Sequence, residues 1–210
     1  MTFRRIQKVL VYAAVFAGAV AATITFPLAR DALAERQRQR EDLRYASGLY
    51  PCGVYWDEFS KYIDGHLTDL PDISVDVFPT FSDAEALRVV GQEIYYFRFK
   101  GRKVTQHTVE RADSQRSALS KETSTALLAS LTNEIVNARS HEPLGLDGTI
   151  YIFRTSRTNR CAAAWSPGNN TRALDVVKIY HSAVSYTTNS AQHPVSDIQL
   201  RSQIAALVDR

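Results

Sequence analysis

The chain has 210 residues, of which 45% are hydrophobic and 22% are charged, a composition typical of one folded domain. So much apolar sequence with a net charge of only +3 excludes a chain that is mainly disordered. The excess charge lies at the N-terminus, in Arg4, Arg5 and Lys8. Subtracting these three from 25 basic residues leaves 22, against 22 acids. A neutral domain argues against a nucleic-acid partner, and we expect none.

An uncharged apolar run covers residues 9–29. As a helix it would be about 31 Å long at roughly 1.5 Å per residue, which matches a hydrocarbon core of about 30 Å. It also lacks the polar stripe of a helix that packs within a soluble domain. We therefore predict a transmembrane signal anchor at 9–29, preceded by a cytoplasmic tail at 1–8. The alternative is a signal peptide that is cleaved after Ala19-Val20-Ala21 or Ala32-Leu33-Ala34.

Residues 30–47 are polar and rich in helix-favouring residues, which predicts a helical stalk between the anchor and a domain at 48–210. The flanking charges do not decide the orientation. Three basic residues precede the apolar run and five follow it, a count that by itself would leave the C-terminal side in the cytoplasm. Long domains, however, translocate largely regardless of charge. The cysteines therefore become the deciding feature.

Cys52 and Cys161 are the only cysteines of the chain. An even number of cysteines in an exported domain suggests a disulfide. The alternative is two unrelated buried thiols. Zinc binding is disfavoured, because the sequence has no Cys-x-x-Cys motif and no histidine at ligand spacing from either cysteine. We predict a Cys52–Cys161 disulfide, and with it an oxidising compartment for the domain.

Helices are predicted where apolar residues recur at helical spacing, at 55–67, 117–138 and 173–186. A capping box at Ser196 and Gln199 predicts one more helix near the C-terminus.

Strands are predicted where apolar residues alternate, at 73–78, 149–154 and 160–165. Residues 93–110 resemble a hairpin with a turn at Gly101-Arg102. For the segment after Pro79, the sequence predicts only a loop or a short helical turn. Hairpins separated by a helix favour an α+β fold, in which helices pack on one face of a single, mostly antiparallel sheet.

Common catalytic motifs are missing from the sequence. It contains no G-x-S-x-G elbow, H-E-x-x-H, S-x-x-K, P-loop or G-x-G-x-x-G, which argues against the common hydrolases, zinc proteases, penicillin-binding enzymes and nucleotide binders. We therefore predict no catalytic residue, no cofactor and no metal site. The alternative is a hydrolase that uses His107 or His141 together with an acid from residues 57–93.

Four basic residues cluster at the tip of the predicted hairpin: Arg98, Lys100, Arg102 and Lys103. One interpretation is a site for an anionic partner, such as phospholipid head groups or an acidic protein surface. The other is an exposed hairpin that its charges protect against edge-to-edge pairing.

The segment from residue 145 to residue 172 combines a tight turn, aromatic residues and an arginine. Its candidate binding corner comprises Asp147, Trp165 and Arg172, and the alternative is a purely structural corner. The pattern G-L-D-G-T, then an aromatic strand, then W-S-P and Arg172 resembles one found in small uncharacterised bacterial proteins, over about 30 residues. The resemblance implies a bacterial source and one contiguous structural unit, and it implies no activity.

With a bacterial source, the expected location is the inner membrane, with a single span and the domain in the periplasm. Secretion to the periplasm after signal-peptide cleavage is the alternative. The expected function is a non-catalytic module that binds a protein partner or another envelope component. Two further hypotheses are an envelope hydrolase and an accessory subunit of a membrane complex, in which Gly18 permits close helix packing.

Overall fold

The computed structural model describes residues 35–36, 48–52, 57–100, 112–140, 148–167, 171–188 and 195–208. The chain divides into two units, Met1–Leu43 and Arg44–Arg210. In the first unit the description covers Glu35 and Arg36, which are helical and exposed. The predicted tail, the predicted anchor and the rest of the predicted stalk lie outside the described residues. No helix in the described part of the chain is both long and apolar enough to cross a membrane.

The second unit is built from seven strands and four helices within the described ranges. The strands are β1 (Tyr50–Pro51), β2 (Ile73–Pro79), β3 (Ala84–Val90), β4 (Glu93–Phe99), β5 (Asp113–Ala118), β6 (Thr149–Thr155) and β7 (Arg160–Trp165). The helices are α1 (Asp57–Asp64), α2 (Lys121–Val136), α3 (Arg172–Thr188) and α4 (Asp197–Val208).

All seven strands join one antiparallel sheet in the order β1-β7-β6-β2-β3-β4-β5. One face of this sheet carries the main hydrophobic core, where alternate residues of the central strands, such as Val75, Leu87 and Phe153, pack against α2, α3 and α4. We call it the helix-layer face. The α+β fold with a large antiparallel sheet and helices packed on it is confirmed.

The opposite face is also covered in part, contrary to the expectation that helices pack on one face only. Phe59 and Ile63 of α1 pack there in a second cluster with Ala86, Phe97 and Phe99. These strand residues alternate with those that face the helix layer, so α1 lies on the other side of the sheet. We call this side the α1 face.

Some predicted elements differ from those observed. The segment after Pro79, expected to be a loop or helical turn, contains strand β3, because pairing with β2 and β4 on both sides overrides the helix preference of its Ala, Glu and Leu residues. Strand β4 pairs with β5 at 113–118, whereas the expected return strand at 104–109 lies outside the described residues. The helix predicted at 117–138 begins later, at Lys121 after the N-cap Ser120.

The remaining strand predictions match closely, with β2, β6 and β7 beginning where the alternation begins. The predicted capping box is also confirmed. The backbone N–H of Ser196 donates to Gln199 Oε1 at 2.8 Å, and the N–H of Gln199 donates to Ser196 Oγ at 3.3 Å.

Candidate functional site

A group of charged residues is assembled on the α1 face by strand register. Across the sheet, Ser74 of β2 lies opposite Arg154 of β6 on one side and opposite Arg88 of β3 on the other. Asp76 follows Ser74 by two residues and so points to the same face. Two arginines from different strands are thereby brought to one aspartate.

These side chains form a buried ionic network, defined here as Arg88, Asp76, Arg154 and Asp64. Arg88 and Asp76 are fully buried, and their closest charged atoms, Nη1 and Oδ1, lie 2.8 Å apart. Arg154 Nη1 donates to Asp76 Oδ2 at 2.6 Å, and Arg88 Nε donates to Asp64 Oδ1 at 2.6 Å. Each buried charge thus faces an opposite one, which buried ions require.

Arg88 also fixes α1 on the sheet. In addition to Asp64, its guanidinium donates to Ser60 Oγ at 3.1 Å, and to the carbonyl oxygens of Leu87 and Val75 at 3.0 and 3.2 Å. Asp64 and Ser60 are one turn apart on α1. A single side chain therefore bonds two points of the helix and two points of the strands.

Burial raises the pKa of Asp64 above its ordinary value, although the positive charge of Arg88 and its hydrogen bond act in the opposite direction. The Asp64 side chain keeps 23% of its surface exposed, whereas Arg88 keeps none. Asp64 and Arg154, whose side chain keeps 18% of its surface exposed, are therefore the two members of the network that reach solvent.

A cavity of about 270 Å³ opens beside this network, and we call it the disulfide-side pocket. Its walls come from α1, from the segment that precedes β2 and from the β6–β7 hairpin. Its charged lining residues are Lys61, Asp64, Arg154 and Arg160, and its other lining residues include Ser60, Leu70, Asn159 and Cys161.

The disulfide lies at the edge of this pocket. Cys52 follows β1 and is bonded to Cys161 of β7, with the two Cα atoms 5.6 Å apart, within the range of ordinary disulfides. The predicted Cys52–Cys161 pairing is confirmed. The bond attaches the two-residue edge strand β1 to the sheet, so the wall of the pocket at Cys161 is covalently tied to the beginning of the domain.

A second cavity, of about 380 Å³, lies between α3 and α4 on the helix-layer side, and we call it the helix-layer pocket. His181 is among its lining residues, and its Nε2 lies 3.3 Å from Tyr151 Oη. Desolvation by the surrounding protein lowers the pKa of His181, and the negative charge of Glu85 opposes this effect. Glu85 itself accepts a 2.6 Å hydrogen bond from Tyr180 Oη.

No histidine–carboxylate pair occurs among the residues that the structure describes. His66 Nδ1 lies 2.7 Å from the carbonyl oxygen of Tyr62, and His181 faces Tyr151. His107 and His141, which the hydrolase hypothesis uses, lie outside the described residues. Within the described ranges, no group of three or more His, Cys, Asp or Glu residues is arranged to hold a metal ion.

The three residues of the candidate binding corner do not come together in the part that is described. Trp165 lies on the α1 face with Ile150 and Ile152. Arg172 lies in the helix layer, where its guanidinium binds the buried carboxylate of Glu134 with a shortest distance of 2.6 Å. Asp147 lies outside the described residues.

The described part of this corner, around Gly148 and Trp165, is closely packed. A Cβ atom on Gly148 would overlap the side chains of Trp165 and Ser166. Thr80 Oγ1 donates to the Gly148 carbonyl oxygen at 2.7 Å, and Ser166 Oγ accepts from the N–H of Thr149 at 2.9 Å. These contacts hold the ends of β2, β6 and β7 together.

The basic hairpin tip is described only at its beginning. Arg98 forms an exposed ion pair with Asp83, with Nε and Oδ2 3.4 Å apart, and Lys100 is exposed. Arg102 and Lys103 lie outside the described residues. The choice between an anionic partner and protection of a sheet edge therefore stays a prediction.

Sequence reasoning missed the ionic network and the disulfide-side pocket. The available signal was Arg88, a charged residue at an inward position of the apolar run Ala86-Leu87-Arg88-Val89-Val90. An arginine within such a run indicates either a bend or a buried counter-ion. Its partners, Asp76 and Asp64, are 12 and 24 residues away in sequence, and pairing at that distance depends on sheet register.

The chain matches no family model. No curated protein and no solved structure is significantly similar to it.

Proposed function

We propose that the protein is a membrane-anchored interaction domain of the bacterial envelope. Residues 9–29 would hold it in the inner membrane, and residues 48–210 would bind a protein partner or an envelope component in the periplasm. The observation that carries the proposal is the Cys52–Cys161 bond, because disulfides persist in oxidising compartments and are rare in the cytosol. The uncharged run at 9–29 supports an anchor of membrane length.

Binding, rather than catalysis, is favoured by the chemistry of the disulfide-side pocket. Two of its four charged lining residues are arginines, which stay protonated and cannot act as general acids or bases at ordinary pH. Its carboxylate, Asp64, already accepts a hydrogen bond from Arg88. Such groups hold a fixed geometry and recognise an incoming group by charge and hydrogen bonding.

The first experiment tests location. A reporter enzyme that is active only after export, fused after Arg210, should be active, and mass spectrometry after alkylation should find Cys52 and Cys161 blocked in protein from cells. An inactive reporter with two alkylated thiols would contradict the proposal. N-terminal sequencing then separates the alternatives, since a chain that begins directly after Ala21 or Ala34 is secreted instead of anchored.

The second experiment tests binding. A photo-crosslinking amino acid at Asn159, on the rim of the disulfide-side pocket, should capture a partner in cells, and the same amino acid at exposed Ser202 on α4 is the matched control. Equal capture at both positions, or none at either, would argue against a specific partner at this surface. A complex that is lost on Gly18→Leu, without capture at Asn159, would favour an accessory subunit that assembles through its span.

A further inference from the structure

A buried hydroxyl group without a partner lines the disulfide-side pocket. Ser74 keeps only 5% of its surface exposed, and its hydroxyl forms no hydrogen bond with the residues that the structure describes. Strand register places Ser74 on the α1 face, between Arg88 and Arg154. Because a buried polar group without a hydrogen bond is costly, a hydroxyl in this position indicates that a polar group enters the cavity.

Two other side chains present hydrogen-bonding atoms at the same cavity. Asp64 accepts from Arg88 Nε through Oδ1, and no donor of the described residues bonds its Oδ2. Asn159 is exposed at the rim, and its amide both donates and accepts. The cavity thus combines an acceptor at Asp64 with groups at Ser74 and Asn159 that can take either role.

The charges at the cavity disfavour an ionic ligand. Lys61 and Arg154 would repel a cation, and Asp64 would repel an anion. Arg160 adds no cation to the cavity, because its guanidinium lies on the helix-layer side, where Nη1 donates to the Val136 carbonyl oxygen at 3.2 Å. A neutral ligand with several hydrogen-bonding groups is the better match.

Hydroxyl groups suit this cavity because each of them can donate and accept at once. A hydroxyl that donates to Asp64 can still accept from Asn159, whereas a side-chain amide separates its donor from its acceptor. At about 270 Å³ the cavity lies just below the range of roughly 300–1,000 Å³ typical of small-molecule sites, so it has room for one ring. Leu70, which is 80% exposed, adds an apolar surface at the rim.

We propose that the disulfide-side pocket binds one neutral sugar ring of an envelope glycan. The hydroxyl groups of the ring donate to Asp64 and form hydrogen bonds with Ser74 and Asn159, and its C–H face packs on Leu70. The bond from Arg88 fixes Asp64 before the ligand arrives, which lowers the entropic cost of binding. This inference deepens the proposed function and rests on it, since it names the envelope component.

The experiment exposes an array of neutral, acidic and amino-sugar oligosaccharides to the fluorescently labelled full-length chain. The detergent is zwitterionic, because a sugar head group would compete for the pocket. Neutral oligosaccharides should bind, and those with uronic acids or free amino groups should bind more weakly, since the cavity carries both signs of charge. Titration calorimetry with the best neutral oligosaccharide then measures the dissociation constant.

Variants identify the residues that bind the ring. Ser74→Ala should weaken binding about two- to tenfold, the effect of one neutral hydrogen bond. Asp64→Asn should weaken it at least about tenfold, because a bond to a charged acceptor is stronger. The matched control is Ser114→Ala, on the exposed edge strand β5, which should leave the affinity unchanged. Asn159→Ala replaces Asp64→Asn if that variant does not fold.

Three outcomes would overturn the inference: no neutral oligosaccharide bound, acidic or amino-sugar oligosaccharides bound more tightly than neutral ones, or equal affinity in wild type and Ser74→Ala. A chain that captures a protein partner through Asn159 in cells and binds no oligosaccharide would keep the proposed function and lose this inference. An inactive export reporter, by contrast, would contradict the proposed function itself.

Discussion

The two faces of the sheet are covered by different physical means. The helix-layer face is buried by three helices of 12 to 17 residues over one continuous apolar core. The α1 face is covered in the described structure by one helix of eight residues, and it combines small apolar clusters with the buried ionic network. A long helix can be held by buried area alone, which is non-directional. The short helix α1 is held in addition by directional bonds from Arg88 to Asp64 and Ser60.

The difference predicts which changes each face tolerates. Apolar packing accepts substitutions that conserve volume. A buried charge that loses its partner is costly, because the remaining charge can neither be solvated nor paired. The α1 face should therefore be sensitive to single charge deletions, and the helix-layer face, apart from its Arg172–Glu134 pair, should be sensitive mainly to cavities.

The largest effect is expected from the disulfide, which attaches the edge strand β1 to the sheet. Its sequence separation of 109 gives a loop-closure contribution of about 4–5 kcal/mol. Replacing both Cys52 and Cys161 by Ser should lower the free energy of unfolding by this amount in urea titrations. Reducing agent should destabilise the wild type and leave the double variant unchanged. A loss below about 1 kcal/mol would contradict this prediction, and it would mean that the unfolded chain is already compact between Cys52 and Cys161.

The next largest effect is expected from the buried ionic network on the α1 face. Arg88→Ala removes a fully buried partner of Asp76 and should cost about 3–5 kcal/mol. The matched control is Arg157→Ala, whose exposed pair with Asp72 spans 3.8 Å and should contribute about 0–1 kcal/mol. Thermal and urea unfolding of both variants measure the difference. Equal losses would show that the network is no more important than a surface pair.

In its described part, the helix layer contains a buried ion pair of its own, Arg172 with Glu134, and this pair offers the opposite test. Arg172→Met alone should cost about 3 kcal/mol, because Glu134 would stay buried without a partner. Combining it with Glu134→Leu should return the stability to within about 1 kcal/mol of wild type, since apolar side chains suit this core. A double variant as unstable as Arg172→Met would show that the helix layer, too, depends on the directional bonds of an ion pair.

The pH dependence of stability tests the ionic network of the α1 face at Asp64. Burial raises its pKa above 3.8, so the folded chain binds this proton more tightly than the unfolded chain. Its contribution to the free energy of unfolding is therefore greatest at low pH and decreases as the pH rises from 3.8 through the raised value. Asp64→Asn, which keeps an oxygen for Arg88, should gain stability relative to wild type over that interval. A difference independent of pH would contradict this.

The smallest effect is expected at His181, where the pH dependence of stability has the opposite sign to that at Asp64. Desolvation lowers its pKa below 6.5, so the folded chain favours the neutral imidazole. The contribution of His181 to the free energy of unfolding is then fully present above pH 6.5, and it decreases as the pH falls from 6.5 through the lowered pKa. In His181→Gln this part of the pH dependence should disappear. Unchanged pH profiles in that variant would assign the dependence to another group.

The sequence predicted what depends on local pattern. The strands β2, β6 and β7 follow from alternation, and the capping box of α4 follows from two residues three positions apart. Strand β3 could not be found in this way, because Ala84-Glu85-Ala86-Leu87-Arg88 favours a helix locally and is extended only because it pairs with β2 and β4.

The arrangement of the candidate site depends on the register of the sheet even more than the strands themselves do. Nothing in the spacing of Arg88, Asp76 and Arg154 brings them together until the order β6-β2-β3 is known. The same holds for Arg172. The sequence associated it with Trp165, seven residues before it, but the sheet lies between them.

The position of the disulfide also determines how the domain carries mechanical load. Tension that enters from residues before Gly48 reaches Cys52 within four residues and passes through the bond to Cys161. If a partner pulls on the C-terminal region, the covalent load path runs from Cys52 to Cys161 and bypasses the residues between them. Helix α1, strands β2 to β6 and the β6–β7 turn belong to that bypassed length. Force applied along the chain between the residues before Gly48 and the C-terminal region therefore does not pass through the backbone of this loop.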